Sequence, residues 1–297
     1  DLEIDSDGSL FVLLNRKAND GTRWWLGEYT AWNEGPKNLA FGNKAELAEA
    51  LARHPDGTMA VCGHTPTLQL DDDAAAWLVR PGFPGETRIF DYHPLGKPPH
   101  KMWERARDCA FASDLLVLVG EVYGWHGDEN LARNRLFVLQ TPMNSPDVVW
   151  NVDPLGPVTQ TGAQAVTVDA EGRLVIAGYA CDDDCVPEGE LRFHDAQNIS
   201  TTRLSLGFFP TKQFAVQALA WSPAGYAVVA TGGTTGNETA FTVRAFDTTQ
   251  PAPLWTFARK DGGMLHMALA LAIGQYGEVY AGGFGANNYP AVAYIGG

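Results

Sequence analysis

Three histidines, an arginine and a glutamate are the residues whose types suit acid–base chemistry, and all but one of them border an apolar run. His64 follows "TMAVCG", Arg107 opens "RDCAFASDLLVLVG", Glu121 follows the glycine that closes that run, His126 lies in the longest polar stretch, and His266 precedes the last apolar alternation. An imidazole changes charge near neutral pH and is tuned by neighbouring charges, so this set would serve proton transfer or ligand contact if it converged. A lone histidine on a loop is simply solvated, so the set means something only if the fold gathers it. Trp125, between Gly124 and His126, offers an aromatic face of the kind a sugar ring stacks on.

A second group of residues is acidic. Asp128, Asp182 and Asp184, with Asp71, Asp72, Asp73 and Asp183, are hard oxygen donors of the kind calcium takes. Calcium is therefore the one cation to weigh, and no other cofactor is expected. The stretch "EIDSDG" (3–8) imitates the start of a calcium loop but lacks the spaced bidentate glutamate, and an Asp-Gly pair is also what a hairpin needs. Solvated acidic loops are the simpler reading. Asp182 to Asp184 lie between Cys181 and Cys185, a spacing open to a small loop bridge or to metal ligation; zinc wants four nitrogen or sulfur ligands, and no second pair has this spacing. GxSxG, HExxH, a phosphate-binding loop and a strand-linked GxGxxG are all absent from the sequence, so no catalytic residue is assigned.

Composition narrows the partners. With 35 acidic against 21 basic side chains, the net charge of −14 repels a phosphate backbone or an anionic bilayer, which argues against nucleic acid. No run approaches the roughly 18–20 apolar residues that span a bilayer, so direct membrane insertion is not expected.

The elements that must position these residues repeat along the chain. "AEALARHPDGTMAVCG" (48–63), "RDCAFASDLLVLVG" (107–120), "AQAVTVDAEGRLVIAG" (163–178), "VQALAWSPAGYAVVATGG" (216–233) and "ALALAIGQYGEVYAGG" (268–283) share a small-apolar alternation, a turn, and a β run ending in glycine; "DLEIDSDGSLFVLL" is a sixth copy. Gly8, Gly57, Asp114, Gly172, Gly225 and Gly277 mark turns 49 to 58 residues apart. Each copy reads as strand A, tight turn, strand B, polar loop and an aromatic strand C, with a fourth strand after some copies, as in "DVVWNVD", "TTRLSLGF" and "PLWTFAR". Ala218, Ala220 and Ser222 alternate with Leu219, Trp221 and Pro223. A sheet wetted on one side would alternate apolar with polar, whereas a blade packed on both faces alternates small with large.

The expected fold is therefore all-β: one six-bladed β-propeller of four-stranded antiparallel blades over 1–297, with repeats near 1–46, 47–106, 107–162, 163–214, 215–266 and 267–297. The last copy shows no fourth strand. Either residues upstream of the chain complete that blade, or it is three-stranded and leaves an edge for pairing in a larger assembly. The loops from strand B to strand C share one face with the entries to strand A, and a ligand site is expected there. Cys62 and Cys109 are either buried small side chains or a bridge between the second and third blades.

The run "AQAVTVDAEGRLVIAG" resembles the delta-sixty and related repeat propellers of bacterial envelope and secreted proteins. That resemblance implies a propeller in an oxidising, secreted or envelope location, a disulfide at Cys181–Cys185, and no shared catalytic residues to carry over. The expected function is a non-catalytic scaffold or recognition module for protein or glycan, with His64, Arg107, Glu121, Trp125, His126 and His266 as binding residues. The alternative is a hydrolase or lyase dependent on a divalent cation, which requires at least three of His64, Arg107, Glu121, His126, Asp182 and His266 to face one cleft with a metal or a perturbed carboxylate.

Overall fold

In the computed structural model the described residues are 1–4, 7–18, 21–31, 34–43, 46–66, 72–80, 85–92, 102–124, 133–153, 160–181, 188–194, 201–208, 216–235, 238–247, 250, 252–259, 267–284 and 290–296. They form 23 strands and, among the described residues, no helix. The chain divides into unit 1, Asp1–Val152, and unit 2, Asp153–Gly297.

Unit 1 holds three four-stranded sheets. The first is β1 (Leu2–Ile4), β2 (Leu10–Ala18), β3 (Gly21–Tyr29) and β4 (Lys37–Phe41). The second is β5 (Leu47–Arg53), β6 (Met59–Pro66), β7 (Asp72–Val79) and β8 (Glu86–Phe90), and the third β9 (Met102–Ala112), β10 (Leu115–Gly124), β11 (Arg133–Pro142) and β12 (Val149–Val152). Unit 2 continues with β13 (Gln160–Val168), β14 (Leu174–Cys181), β15 (Glu188–His194) and β16 (Thr201–Phe208). Then come β17 (Val216–Ser222), β18 (Tyr226–Thr235), β19 (Glu238–Phe246) and β20 (Pro253–Arg259), and last β21 (Met267–Ile273), β22 (Val279–Phe284) and β23 (Pro290–Gly296).

Every sheet is an antiparallel meander, and the final two are joined in the backbone ladder by the single pair Gly232–Met267. This is a six-bladed β-propeller whose last blade has three strands. Two outer strands that the sequence pattern did not mark, β4 and β8, complete the first and second blades. Both are five residues long and largely exposed, so they carry little apolar periodicity.

Small-against-large packing builds the cores. Ala50, Ala52, Ala60, Ala74 and Ala76 of the second blade receive Leu116, Leu118, Phe137 and Leu139 of the third. In unit 2, Ala177 and Ala227 lie in one cluster with Leu191, Phe193 and Phe246, and Ala230, Ala268 and Ala281 in another with Phe241 and Val243. Inserting small side chains beneath bulky ones lets neighbouring sheets approach at interior packing density, which the alternation along each strand encodes.

The glycine that closes the strand-B run of the second, third and fourth blades has a specific cause. In β5 the register passes from Ala48–Gly63 to Ala50–Cys62, so Glu49 is the extra residue of a β-bulge. The same step makes Arg107 the extra residue in β9, Gln164 in β13, Gln217 in β17 and Leu269 in β21. Opposite the first three bulges a Cβ on Gly63, Gly120 or Gly178 would overlap the carbonyl oxygen of Leu47, Arg105 or Gly162. The kink pushes backbone into the space a side chain would take, and only glycine leaves it free. Gly120→Ala and Gly63→Ala are therefore each expected to lower stability by about 1–3 kcal/mol. Urea unfolding checks this, and a shift within about 0.5 kcal/mol, the scale of neutral surface changes, would remove the steric account.

The A–B turns place Gly8, Gly57, Gly172, Gly225 and Gly277 at positive φ. The third copy turns through Ser113 at φ 52 instead, which accounts for its shortened "ASD" turn. Of the two readings for Cys62 and Cys109, the second holds: a disulfide joins β6 to β9 with the Cα atoms 6.3 Å apart, both residues buried.

Candidate functional site

The residues of interest come together in unit 1, where the second and third blades present the ends of strand B and the start of strand C. The repeat pattern ends strand B at the glycine before His64 and before Glu121, which would make each the first residue of a loop, but β6 runs on to Pro66 and β10 to Gly124, so both are strand residues. Continued cross-strand pairing explains the extension: His64 lies opposite Leu47 and Ala74, and Glu121 opposite Arg105 and Leu136. A strand fixes the direction of a side chain far better than a loop does.

The adjacent bulges bring the two blades into contact. Glu49, the extra residue of β5, points an oxygen at Arg107, the extra residue of β9, with Oε1 3.7 Å from Nη1. Arg107 Nη2 lies 3.7 Å from Glu121 Oε2, and His64 Nδ1 lies 3.9 Å from Glu49 Oε1. The backbone beside Glu49 is pinned from the first blade: Asn15 donates from Nδ2 to the Ala48 carbonyl at 2.6 Å and accepts from the Ala48 N–H at 3.0 Å. Next to this group Asp72 accepts from Arg105 Nε and Nη2 at 3.1 and 2.7 Å. A cavity of about 390 Å³ opens here, lined by Trp103, Arg105, Arg107, Glu121, Tyr123 and Asn134. The rings of Trp103 and Tyr123 stack with centroids 5.2 Å apart and planes 13° from parallel.

Charge states follow from burial and neighbours. His64 is 5% exposed, and burial, with Arg105 and Arg107 nearby, pushes its pKa down to about 4 against the opposing pull of Asp72. It is a neutral imidazole at pH 7, and its Nδ1 makes no hydrogen bond among the described residues. Burial raises the Glu49 carboxyl above its ordinary value, although Arg107 and Arg105 draw it back. Arg107 is under-bonded in the same sense: its Nε is buried without a hydrogen-bond partner among the described residues, and its two ion pairs there are longer than hydrogen bonds.

Of the residues singled out from sequence, the structure therefore gathers His64, Arg107 and Glu121. Trp125, His126, Asp128, Asp182, Asp184, Cys185 and His266 lie outside the described residues. Cys181 ends β14 buried and is not free. The sequence reading missed Glu49, Trp103, Arg105 and Tyr123. One signal was present: the second residue of the aligned runs "AEALA", "ARDCA", "AQAVT" and "VQALA" is polar in all four, and each is a bulge residue. Elsewhere in unit 1, oxygens of Asp73, Asp91 and Glu104 lie within 4.8 Å of one another. None of the three is without a partner in the protein.

No protein-family model matches this chain, and no curated protein does. Solved structures match it over nearly its whole length. A protein of unknown function from Dyadobacter fermentans aligns over 99% of this chain and 92% of its own, at TM-score 0.65 and 10% identity. The family 93 glycoside hydrolase α-L-arabinofuranosidase of Fusarium graminearum, solved with arabinobiose, aligns over 99% and 91% at TM-score 0.57 and 13% identity. An ulvan lyase of polysaccharide lyase family 25 aligns over 99% and 78% at TM-score 0.59 and 9% identity. Identities this low establish a shared propeller fold.

Proposed function

We propose that this protein is a glycan-recognising propeller whose ligand sits in the cleft lined by the third blade, where Arg105 and Arg107 reach Asp72 and Glu49 of the second. The observation that carries the reading is the stacked Trp103–Tyr123 pair lining one cavity with Arg105, Arg107, Glu121 and Asn134. An aromatic face covers the apolar side of a sugar ring while donors and acceptors beside it take the hydroxyls, the usual division of labour in a site that binds a polyol. The named activities of the arabinofuranosidase, the ulvan lyase and a microbial sialidase, all on carbohydrate and all with this fold, support the same direction by analogy of fold. A secreted or envelope location fits the buried Cys62–Cys109 disulfide, which persists in oxidising compartments, and fits the resemblance of the repeat to the delta-sixty propellers.

Trp103→Ala is expected to weaken oligosaccharide binding about tenfold or more, as truncation of a central aromatic contact does. Calorimetric titration against a panel of plant, algal and host oligosaccharides checks this, with circular dichroism confirming the fold. Undiminished binding by a folded Trp103→Ala variant would remove the reading.

A second reading, a glycan hydrolase or lyase, is favoured by one observation: His64 and Arg107 both reach Glu49, a carboxyl whose pKa is raised, and Arg107 also reaches Glu121. A neutral imidazole and a carboxyl held toward its protonated form are the parts of an acid–base pair. Product release from the bound oligosaccharide by the wild type, abolished in Glu49→Gln, separates catalysis from recognition.

A further inference from the structure

We infer that the cleft selects a sugar bearing an anionic substituent, a carboxylate or a sulfate, which Arg107 takes through its guanidinium. The inference rests on the glycan reading above and adds the chemical class of the ligand.

The argument starts from the donors. A guanidinium carries five N–H groups in a planar fork and no acceptor. Arg107 stands on a bulge, a position that turns a side chain out of the ladder, and it lines the cavity. Its nearest carboxylate oxygens, Glu49 Oε1 and Glu121 Oε2, are each 3.7 Å away, close enough for attraction but beyond hydrogen-bond length. Its Nε is buried with no hydrogen-bond partner among the described residues. Buried donors in folded proteins are almost always satisfied, so a fork left this way beside a cavity calls for an acceptor from outside.

The neighbouring arginine makes the contrast. Arg105, two residues earlier on the same strand, is held by Asp72 through two hydrogen bonds. The two cations in this cleft therefore differ: Arg105 is occupied, and Arg107 is held loosely between two acids. The two oxygens of a planar carboxylate, or two of those of a tetrahedral sulfate, match the guanidinium fork, whereas a neutral hydroxyl offers a single acceptor of lower strength. The stacked Trp103 and Tyr123 on the same wall identify the carrier of the anion as a sugar rather than a bare inorganic ion.

The charges facing Arg107 give the inference a pH signature. From β5 comes Glu49, from β6 the neutral His64, from β7 Asp72 paired to Arg105 of β9, and from β10 Glu121. An incoming anion meets Glu49 and Glu121 as repelling neighbours. Burial has already raised the Glu49 pKa, and a second anion at Arg107 raises it further, so binding takes up a proton. Affinity for the anionic sugar rises as pH falls through the Glu49 titration, while affinity for a neutral sugar does not follow that titration.

The test uses matched pairs: an oligogalacturonate against its methyl ester, and a sulfated galactan oligomer against its desulfated form, titrated calorimetrically at about pH 5 and about pH 8. Wild type is expected to prefer the charged member of at least one pair about tenfold at the lower pH, a charge-assisted bidentate contact against a neutral one. Which pair shows the preference identifies carboxylate or sulfate. Arg107→Gln is expected to bring the ratio near one while still binding the neutral member, and Glu49→Gln to flatten the pH dependence. Equal binding of charged and neutral members by the wild type, or an equal loss for both in a folded Arg107→Gln, would overturn the inference and leave glycan binding intact. Absence of binding to every oligosaccharide, neutral or charged, would overturn the glycan reading and this inference with it.

Discussion

Replacing both Cys62 and Cys109 by alanine is expected to lower the unfolding free energy by about 4 kcal/mol and the melting temperature by about 6 °C. The two residues are separated by 47 positions, and cross-linking a loop of that length removes about that much conformational freedom from the unfolded chain. The bridge also ties β6 to β9 across two blades that meet through apolar packing and a few polar contacts, Cys62 and Cys109 sitting within the alanine and leucine cluster between them. Cys62 precedes His64 by two positions and Cys109 follows Arg107 by two, so the same cross-link sets how closely Glu49 and Arg107 approach. The double variant should therefore bind oligosaccharide more weakly even at temperatures where it stays folded. Reduction of the wild type with a thiol under mild denaturant should reproduce the stability loss. Calorimetric scans of oxidised, reduced and double-alanine protein decide the matter, and a change below about 1 kcal/mol would mean that the noncovalent contacts hold these blades together without the bridge.

A loss of about 3–5 kcal/mol is expected for Arg192→Met in unit 2. Arg192 is 2% exposed and lies in β15. It donates from Nη1 and Nη2 to the two oxygens of Asp153 at 2.7 Å each and from Nη2 to Glu190 at 2.9 Å. Burial opposes its charge, but the hydrogen bonds and charges of Asp153 and Glu190 outweigh it and hold its pKa above the ordinary guanidinium value. Methionine keeps the apolar stem and much of the volume, so the effect reads the charge and not a cavity. It leaves the Glu190 and Asp153 carboxylates inside without their cation, and an uncompensated buried charge costs more than the intact pair contributed. Adding Asp153→Asn and Glu190→Gln to Arg192→Met should restore most of the lost stability. Denaturant unfolding of the single and triple variants measures both numbers. If the triple variant is as unstable as the single, the loss belongs to packing.

The two predictions differ in how far they could be read without coordinates. Cys62 and Cys109 are visible as two single cysteines in adjacent copies of the repeat, and a bridge between blades was one of two readings open to them. The Arg192 triad had no such sign: Glu190 and Arg192 lie two apart on one strand face, but Asp153 comes from the segment after β12, and nothing local announces that it folds over them. The outer strands divide in the same way. β16 and β20 show alternating apolar residues and were legible, while β4 and β8, short and mostly exposed, carry too little pattern to separate them from loop.

Local physics reaches the fold itself: turn glycines at positive φ, alternation of small and large side chains, and a spacing near fifty residues each follow from the chain's own neighbours, and together they specify stacked blades. The site is another matter. Glu49 and Arg107 meet because a bulge in each inner strand swings one side chain out of register, and because two sheets pack closely enough for those bulges to touch. A bulge is an offset between two strands, and the approach of two sheets is set by whole cores, so neither is a property of any short stretch. The amino-acid sequence by itself determined where strands run and turn; only tertiary packing decided which histidine, which acids and which arginine share a cleft.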